Sequence, residues 1–282
     1  MSYRALVVGG TSGIGNAIAC RIASTSADSH IIISGRKKPA VIPHANMEFR
    51  QLDASSMRAI KQYTDKYKSA GEPKLDLLVL TQGILTMAGR TETAEGLDNK
   101  MALHYYGRQL LIRELIPVLK DDAKVILVLD SLRGTPEKLV WEDLDLKNHY
   151  TLGNAANHCM GMNDGMMQWQ ASQQGTTKRH FVHTNPGLVN TNISASLPWY
   201  LRPVGKGIAA LVGKSPDAYA EIVLKGTEQC ASDRQKEGRF WTALDTKGKE
   251  IPNRPIWTKE QMEKVKDHTW KILDDVINTN KA

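Results

Sequence analysis

The feature that constrains the fold most is a glycine-rich turn between an apolar run and a helix-length segment. Residues 5–8 have the pattern of a buried strand, and Gly9-Gly10-Thr11-Ser12-Gly13-Ile14-Gly15 follows at once. Gly9 suits a tight turn, Gly13 lets the backbone approach a pyrophosphate, and Gly15 lets the helix pack on the strand. Free N–H groups at the helix start would hold the anion. The residues predicted here to bind a dinucleotide are Gly9, Thr11, Ser12, Gly13, Ile14 and Gly15.

The rest of the chain alternates short apolar runs with helix-length segments. Strand-like runs occupy residues 30–34, 47–51, 75–81, 124–129, 179–184 and 238–243, and long helices are predicted at 15–24, 57–69, 96–119, 155–172 and 216–231. This rhythm predicts an α/β protein with a parallel sheet and helices on both faces. Thr258 and Gln261 have capping-box spacing, so a final helix is predicted to begin there.

Composition excludes several classes of protein. The 282 residues are 41% hydrophobic and 24% charged, which is typical of a globular domain and not of a disordered chain. The net charge of +7 is scattered, so nucleic acid is not a predicted partner, and no apolar run reaches the length of a membrane span. Cys20, Cys159 and Cys230 are too far apart for a disulfide scaffold, and the first residues look like a strand rather than a secretion signal. We therefore expect a cytoplasmic protein.

The end of the second strand indicates which dinucleotide is bound. Ser34-Gly35-Arg36-Lys37-Lys38 contains no acid. An acid at this place favours NAD, whereas a basic residue accommodates the 2′-phosphate of NADP. Arg36, with Lys37 second, therefore predicts NADP(H), although a solvated run of surface charges is the alternative. Asp53, at the end of the third strand, is placed to read adenine, and Thr81-Gln82-Gly83 at the end of the fourth strand borders the adenosine side.

Residues 3–190 resemble the short-chain dehydrogenase/reductase family. The resemblance rests on the glycine turn, Asp53, Gly83, Ser131 after the fifth strand, and residues 185–191 (Asn-Pro-Gly-Leu-Val-Asn-Thr) after the sixth. It implies one doubly wound Rossmann-type domain over residues 1–282, with seven parallel strands and with 193–231 as a substrate lid. Because the last of these segments cups the nicotinamide in the family, the resemblance adds four cofactor-binding residues: Pro186, Gly187, Val189 and Thr191.

The catalytic residues depart from the family pattern of Asn, Ser, Tyr and Lys. Ser131 is present, but His104 stands at the Asn position. In retinol-dehydrogenase-like members an Asn follows the Lys by three residues, and reading back from Pro186-Gly187 places that Asn at Asn163. The Lys position is then Met160 and the Tyr position is Ala156.

A second register keeps a tyrosine but not the lysine. It places Tyr150 at the Tyr position and Asn154 at the Lys position. In both registers the lysine that lowers the tyrosine pKa in the family is replaced. Tyr150 therefore stays a candidate for the acid only in this second register.

Other polar residues are candidates to replace the missing pair. Asp164 lies two helical turns past the Tyr position, where it could stabilise a cationic substrate, act as a base if burial raises its pKa, or face solvent. Arg133 follows the fifth strand, where it could hold an anionic group or be a surface cation. Asn157 flanks the Tyr position. The predicted catalytic set is therefore Ser131, Arg133, Tyr150, Asn157 and Asp164. His180 and His183 would point to opposite faces of a strand, so no metal site is predicted.

These residues predict an NADPH-dependent reductase without the usual proton donor. Losing a general acid slows a reaction that needs one by about 10²–10⁴-fold. A ketone needs a proton after hydride addition, whereas an iminium ion becomes a neutral amine. The divergent segment resembles atypical fungal members of natural-product pathways, some of which couple reduction to a Diels–Alder cyclisation. That implies a bulky secondary metabolite as substrate, and the family implies a possible homodimer. A non-redox cyclase or isomerase and a dinucleotide-binding pseudoenzyme are the alternatives.

Overall fold

Seven parallel strands form one sheet in the part of the chain that the computed structural model describes, residues 2–191 and 213–279. The strands are β1 (Arg4–Val8), β2 (His30–Gly35), β3 (Met47–Gln51), β4 (Leu75–Leu80), β5 (Leu119–Val128), β6 (His180–Thr184) and β7 (Trp241–Leu244). Their order across the sheet is β3-β2-β1-β4-β5-β6-β7. The prediction of a parallel, seven-stranded, doubly wound sheet is confirmed.

Helices cover both faces of the sheet. They are α1 (Gly13–Ala23), α2 (Met57–Ser69), α3 (Asn99–Met101), α4 (Gly107–Leu115), α5 (Leu152–Ser172), α6 (Pro216–Lys236) and α7 (Lys259–Asn278). One apolar core lies under α1 and α6, with Ile18 and Val223 among its buried members. The other lies under α2, α4, α5 and α7, with Leu110 and Met162 among its buried members.

The strand order reverses between β1 and β4. Strand β1 pairs with β2 on one side and with β4 on the other, so the chain leaves β1 and β4 in opposite directions across the sheet. A crevice forms outside the carboxyl ends of the strands at such a point, and ligands of open α/β sheets bind there. The fold therefore places the glycine turn after β1 at the crevice.

The structure differs from the predicted elements in two places. The helix predicted at 96–119 is interrupted by a π turn at Ala102–Tyr106 and ends in a 3₁₀ turn at Ile116–Val118. A side chain at Gly107 would lie 2.4 Å from the Ala54 carbonyl oxygen, so α4 begins where it approaches a neighbouring segment closely. Strand β5 also begins five residues earlier than predicted, because Leu119 already pairs with Leu75 before a register shift.

Two further features concern the later part of the chain. Helix α6 packs its buried residues Tyr219 and Val223 into the core beside α1, so this part of the segment 193–231 covers the sheet. The preceding residues 192–212 lie outside the described part, and the lid stays a prediction. Thr258 and Gln261 form the predicted capping box at the start of α7. None of the described helices is long and apolar enough to cross a membrane.

Candidate functional site

A groove of about 360 Å³ opens at the carboxyl ends of β1, β2, β3 and β4, and it is called the carboxyl-edge groove below. Its lining combines the glycine turn with the ends of all four strands. The predicted cofactor residues in the lining are Gly9, Thr11, Ser12, Gly13, Ile14, Gly15, Arg36, Asp53, Gln82, Gly83 and Thr191. The structure thus brings together residues that are far apart in sequence. Thr81, predicted with Gln82 and Gly83 to border the adenosine side, also lines the groove, whereas the sequence analysis missed Leu52, Ser55 and Asn99.

The glycine turn leaves room for a ligand against the backbone. Gly9 and Gly13 have positive φ angles of 83° and 56°, which L side chains rarely adopt. A Cβ at Gly15 would lie 2.4 Å from the Gly9 carbonyl oxygen, so only glycine fits there. The Ser12 side chain makes no capping hydrogen bond at the start of α1, and no acid lies in the first turn. The N–H groups of that turn are therefore open to an anion, as the fold predicts for a pyrophosphate.

Gln82 gives the groove a buried polar side chain without an internal partner. It is 6% exposed, and neither Oε1 nor Nε2 has a hydrogen-bond partner in the described part of the chain. A buried unsatisfied amide is unfavourable, so a ligand that pairs with it would be bound more tightly. The N–H groups in the first turn of α1, the glycine turn and the Gln82 amide all fit a dinucleotide.

A buried arginine holds the main chain around Gln82. Arg108 donates from Nη2 to the Gln82 carbonyl oxygen at 2.7 Å and from Nη1 to the Val128 carbonyl oxygen at 3.0 Å. Burial lowers the pKa of Arg108 to about 10. The guanidinium therefore clamps the carboxyl ends of β4 and β5 beside the groove. No spacing or motif in the sequence indicated this role.

Arg36 and Asp53 lie on the adenosine side predicted for them. Arg36 is exposed, and its guanidinium has no hydrogen bond or ion pair with the described residues. Asp53 is also exposed, and its Oδ1 accepts from the Ser55 N–H at 3.0 Å and from the Ser55 hydroxyl at 2.7 Å. Lys37 is exposed but does not line the groove. Arg36 is thus the cation available to a ligand phosphate at this end.

The segment after β6 contributes one residue to the groove. Thr191 packs over the turn, and its methyl carbon lies 3.2 Å from the place of a Cβ on Gly13. Pro186, Gly187 and Val189 do not line the groove. Gly187 has a φ of 62°, and Val189 forms a bridge with Lys214. The structure therefore separates these three residues from the pyrophosphate end of the groove.

A hydrogen bond from a buried asparagine joins α5 to the π turn that contains His104. Asn163 is fully buried, and its Nδ2 donates to the His104 carbonyl oxygen at 2.8 Å. Gln109 donates to Asn163 Oδ1 at 2.7 Å. Asn163 therefore holds α5 against the main chain at His104. Ala156, Met160 and Asn163 are spaced by four and three residues, so they share one face of the helix.

His104 lies within the π turn and contacts the end of β4. Its Nε2 atom lies 3.2 Å from the Ile84 amide nitrogen and 3.0 Å from the Ile84 carbonyl oxygen. Burial, and then the nearby Arg108 cation, lower the pKa of His104 to about 4. The imidazole is therefore neutral near pH 7, and it serves as a hydrogen-bonding group that positions the loop after β4.

Asp164 does not present a free carboxylate. It is 1% exposed, Arg254 donates to its Oδ2 at 2.8 Å, and His183 Nδ1 lies 3.3 Å from its Oδ1. The sequence analysis considered Asp164 as an acid that faces a cationic substrate. In the structure its charge is already neutralised by Arg254. Arg254 also donates to the carbonyl oxygens of Leu132 and Gly134, so the pair fixes the loop after β5.

The other predicted catalytic residues occupy three different surroundings. Ser131 is fully buried, and its hydroxyl donates to the Leu244 carbonyl oxygen at 2.8 Å. Arg133 is exposed and pairs through Nε with Asp130 Oδ2 at 3.1 Å. Asn157 is half-buried on α5, one residue beyond Ala156. These three residues therefore do not converge on one point as a hydrogen-bonded unit.

Tyr150 lies just before α5 and is paired with a lysine from α3. Lys100 donates to the Tyr150 hydroxyl oxygen at 2.8 Å and to the Ala88 and Gly89 carbonyl oxygens at 2.7 and 3.0 Å. Burial and the nearby Asp98 carboxylate raise the pKa of Tyr150 to about 12. This shift is opposite to the lowering that the family's lysine gives its tyrosine. Lys100 was not predicted, because only the folded chain brings α3 to this tyrosine.

The doubly wound sheet and the glycine cradle define a protein of the dinucleotide-binding Rossmann class. A family model described as short chain dehydrogenase matches residues 3–139. "Oxidoreductase AN1596" of Emericella nidulans is 32% identical over 201 residues, which cover 67% of this chain and 59% of that protein. Human "Polyprenol dehydrogenase" is 28% identical over 232 residues, covering 76% and 68%. The chain belongs to the short-chain dehydrogenase/reductase family.

Solved structures agree on the fold. The closed form of serine dehydrogenase complexed with NADP+ superimposes with a TM-score of 0.62 at 16% identity, covering 91% of this chain and 100% of that one. At this identity the likeness concerns the fold alone. The chain spans about three fifths of the length of the Emericella nidulans oxidoreductase, since the matched residues cover 59% of that protein.

Proposed function

We propose that this protein is an NADPH-dependent oxidoreductase of an atypical short-chain type. Its substrate would be a bulky secondary metabolite reduced at an activated carbon in an iminium, enone or carbonyl group. The observation that carries the proposal is the carboxyl-edge groove, which is lined by the glycine turn and by Arg36 and Gln82, whose side chains have no partner among the described residues. The fungal oxidoreductase and the polyprenol dehydrogenase among its relatives support reduction chemistry on a bulky apolar molecule.

Each open group of the groove has a partner in NADP(H). The first turn of α1 would hold the pyrophosphate, and Arg36 would pair with the 2′-phosphate. Gln82 would pair with a polar group of the same molecule and so satisfy its buried amide. The NADP+ complex among the structural neighbours supports this choice of dinucleotide. Bound NADPH supplies the hydride.

The side chains on α5 favour a substrate that needs no proton from the enzyme. In the register read back from Pro186-Gly187, Ala156 and Met160 stand at the family's Tyr and Lys positions, and Asn163 on the same helix contacts His104. Hydride addition to an iminium carbon gives a neutral amine, so charge balances without an acid. Hydride addition to a ketone leaves an alkoxide that must take a proton. We therefore rank an iminium ion above a ketone, and above an enone, whose enolate product must also take a proton.

A matched pair of substrates tests this proposal. A cyclic iminium ion and the ketone of the same ring skeleton are each mixed with enzyme and NADPH, and NADPH absorbance is followed. We expect the iminium ion to be reduced at least about 100-fold faster than the ketone, because only the ketone needs an acid. Tyr150→Phe should retain iminium reduction. Equal rates that both collapse in Tyr150→Phe would restore an ordinary tyrosine acid, and product formation without NADPH would favour the non-redox alternative.

A further inference from the structure

A second cavity, distinct from the carboxyl-edge groove, lies between α1 and α6. Its volume is about 640 Å³, which is within the range of small-molecule sites, roughly 300–1,000 Å³. Its apolar lining comes from Ile22 on α1, Leu224 on α6, and Leu77 and Ile126 on the central strands. This cavity is called the α1–α6 cavity below. No lining residue of the carboxyl-edge groove belongs to it.

The charged residues of the α1–α6 cavity are already paired with one another or with a neighbour. Arg21 lies 3.2 Å from Glu221, which also pairs with Lys225 at 2.6 Å. Glu228 pairs with Lys124 at 3.2 Å. An ionic ligand would have to compete with these pairs and would lose its own hydration. The charge pattern therefore favours a neutral occupant.

One buried polar group of the α1–α6 cavity is left without a partner. Thr227 is 1% exposed, and its hydroxyl has no hydrogen-bond partner within residues 2–191 and 213–279. Most buried hydroxyls in native proteins have a partner. Thr227 lies on α6 within the same lining as Leu224. A ligand with one polar group could satisfy this hydroxyl while the rest of it contacts the apolar lining.

We propose that the α1–α6 cavity binds a neutral, mostly apolar small molecule with one hydrogen-bonding group, such as an isoprenoid or aliphatic alcohol. This site is independent of the proposed reductase activity. Strand register places Leu77 level with Ala5, on the amino-terminal side of the residues that lead into the glycine turn. The two sites touch opposite ends of α1, since Gly15 and Ile22 are about 10 Å apart along the helix. Ligand and dinucleotide can therefore be bound at the same time.

Fluorescence of the neutral probe N-phenyl-1-naphthylamine tests the site in the full chain. We expect saturable binding at one site per chain, unchanged by saturating NADPH. Leu224→Trp fills the cavity with a larger side chain and should weaken probe binding at least tenfold. Thr227→Val keeps the shape of the side chain but removes the hydroxyl, so an aliphatic alcohol should displace the probe less well from this variant. Ile256→Trp adds the same indole at an 81% exposed position and should leave probe binding unchanged.

Several outcomes would overturn the proposal. These are no saturable probe binding, equal binding by Leu224→Trp and the native chain, or displacement of the probe by NADPH. A circular-dichroism melt of Leu224→Trp shows whether it is folded, and Leu224→Phe is the smaller filling variant if it is not. Light scattering, which measures the oligomeric state, tests whether a second copy of the chain covers the cavity instead of a small molecule. If Leu224→Trp converts a dimer into a monomer, the cavity is covered by a second copy and the small-molecule proposal is wrong. None of these readouts uses turnover, so they stand whether or not the reductase proposal holds.

Discussion

Two polar side chains of the carboxyl-edge groove differ from three predicted catalytic residues near α5 in whether they already have a partner within the protein. In the groove, the Arg36 guanidinium and the Gln82 amide have no partner among the described residues. Near α5, the hydroxyl of Ser131, the carboxylate of Asp164 and the hydroxyl of Tyr150 are each bonded to another group of the protein. Arg36 and Gln82 are thus open to a ligand, whereas Ser131, Asp164 and Tyr150 hold the framework together.

This difference teaches how to separate binding groups from structural groups. A polar side chain that already has a good internal partner contributes to stability, and removing it leaves the partner unsatisfied. A buried polar side chain without a partner weakens the free protein and strengthens the complex. Mutations on the two sides should therefore move stability and affinity in different directions.

The largest effect is expected for Asp164→Ala. The substitution leaves the 6% exposed Arg254 side chain buried without its counter-ion, so the free energy of unfolding should fall by about 3–5 kcal/mol. Urea denaturation measures this loss. Arg133→Ala is the control, because its pair with Asp130 is largely exposed and should contribute only about 0–1 kcal/mol. Similar losses in both variants would mean that Asp164 is not the structural group inferred here.

The second-largest effect is expected when two buried glutamines, Gln82 and Gln109, are each replaced by leucine and their stability and NADPH affinity are compared. Gln82→Leu removes an unsatisfied amide, so the free protein should gain about 1 kcal/mol of stability while NADPH affinity falls about tenfold. Gln109→Leu removes the donor to Asn163, so stability should fall by about 1–3 kcal/mol. Urea denaturation and an NADPH titration give both quantities. A destabilised Gln82→Leu with unchanged affinity would place Gln82 on the structural side of the comparison.

A smaller effect is a dependence of stability on pH. Burial lowers the pKa of His180 and of His104 from 6.5 to about 4. Between pH 4 and 6.5 the unfolded chain binds more protons than the folded chain, so the free energy of unfolding falls as the pH drops through this range. Above pH 6.5 the contribution of the two neutral histidines is fully present. The urea midpoint should therefore be lower at pH 5 than at pH 7. His180→Gln should show a smaller loss, and an identical loss would exclude His180 as a source.

The sequence predicts the sheet well because its signals are local. Apolar runs, the glycine turn and the capping box at Thr258 each depend on neighbouring residues, and the structure confirms them. The break in the helix predicted at 96–119 was missed; it lies directly before Gly107, which approaches the Ala54 carbonyl closely in the folded chain. Propensity carries no information about such a contact.

In the candidate site, too, the features that depend on local sequence were predicted and those that depend on tertiary contacts were not. The groove was predictable because Gly9 and Arg36 directly follow recognisable strands and Gly15 belongs to the glycine turn at the start of α1. The partners near α5 were not, since Asp164 meets Arg254 across 90 positions and Tyr150 meets Lys100 across 50. Spacing alone therefore could not show that these acid and phenol groups are already engaged.

The most direct test of the central claim is a titration with NADPH and NADH, followed by energy transfer from the six tryptophans to bound nicotinamide. We expect NADPH to bind much more tightly than NADH. Arg36→Ala should weaken NADPH about tenfold or more and leave NADH unchanged, because a charge-assisted pair is lost only with the 2′-phosphate. Lys37→Ala, outside the groove, should have a smaller effect. Absence of binding by either dinucleotide, or equal affinities insensitive to Arg36→Ala, would contradict the account.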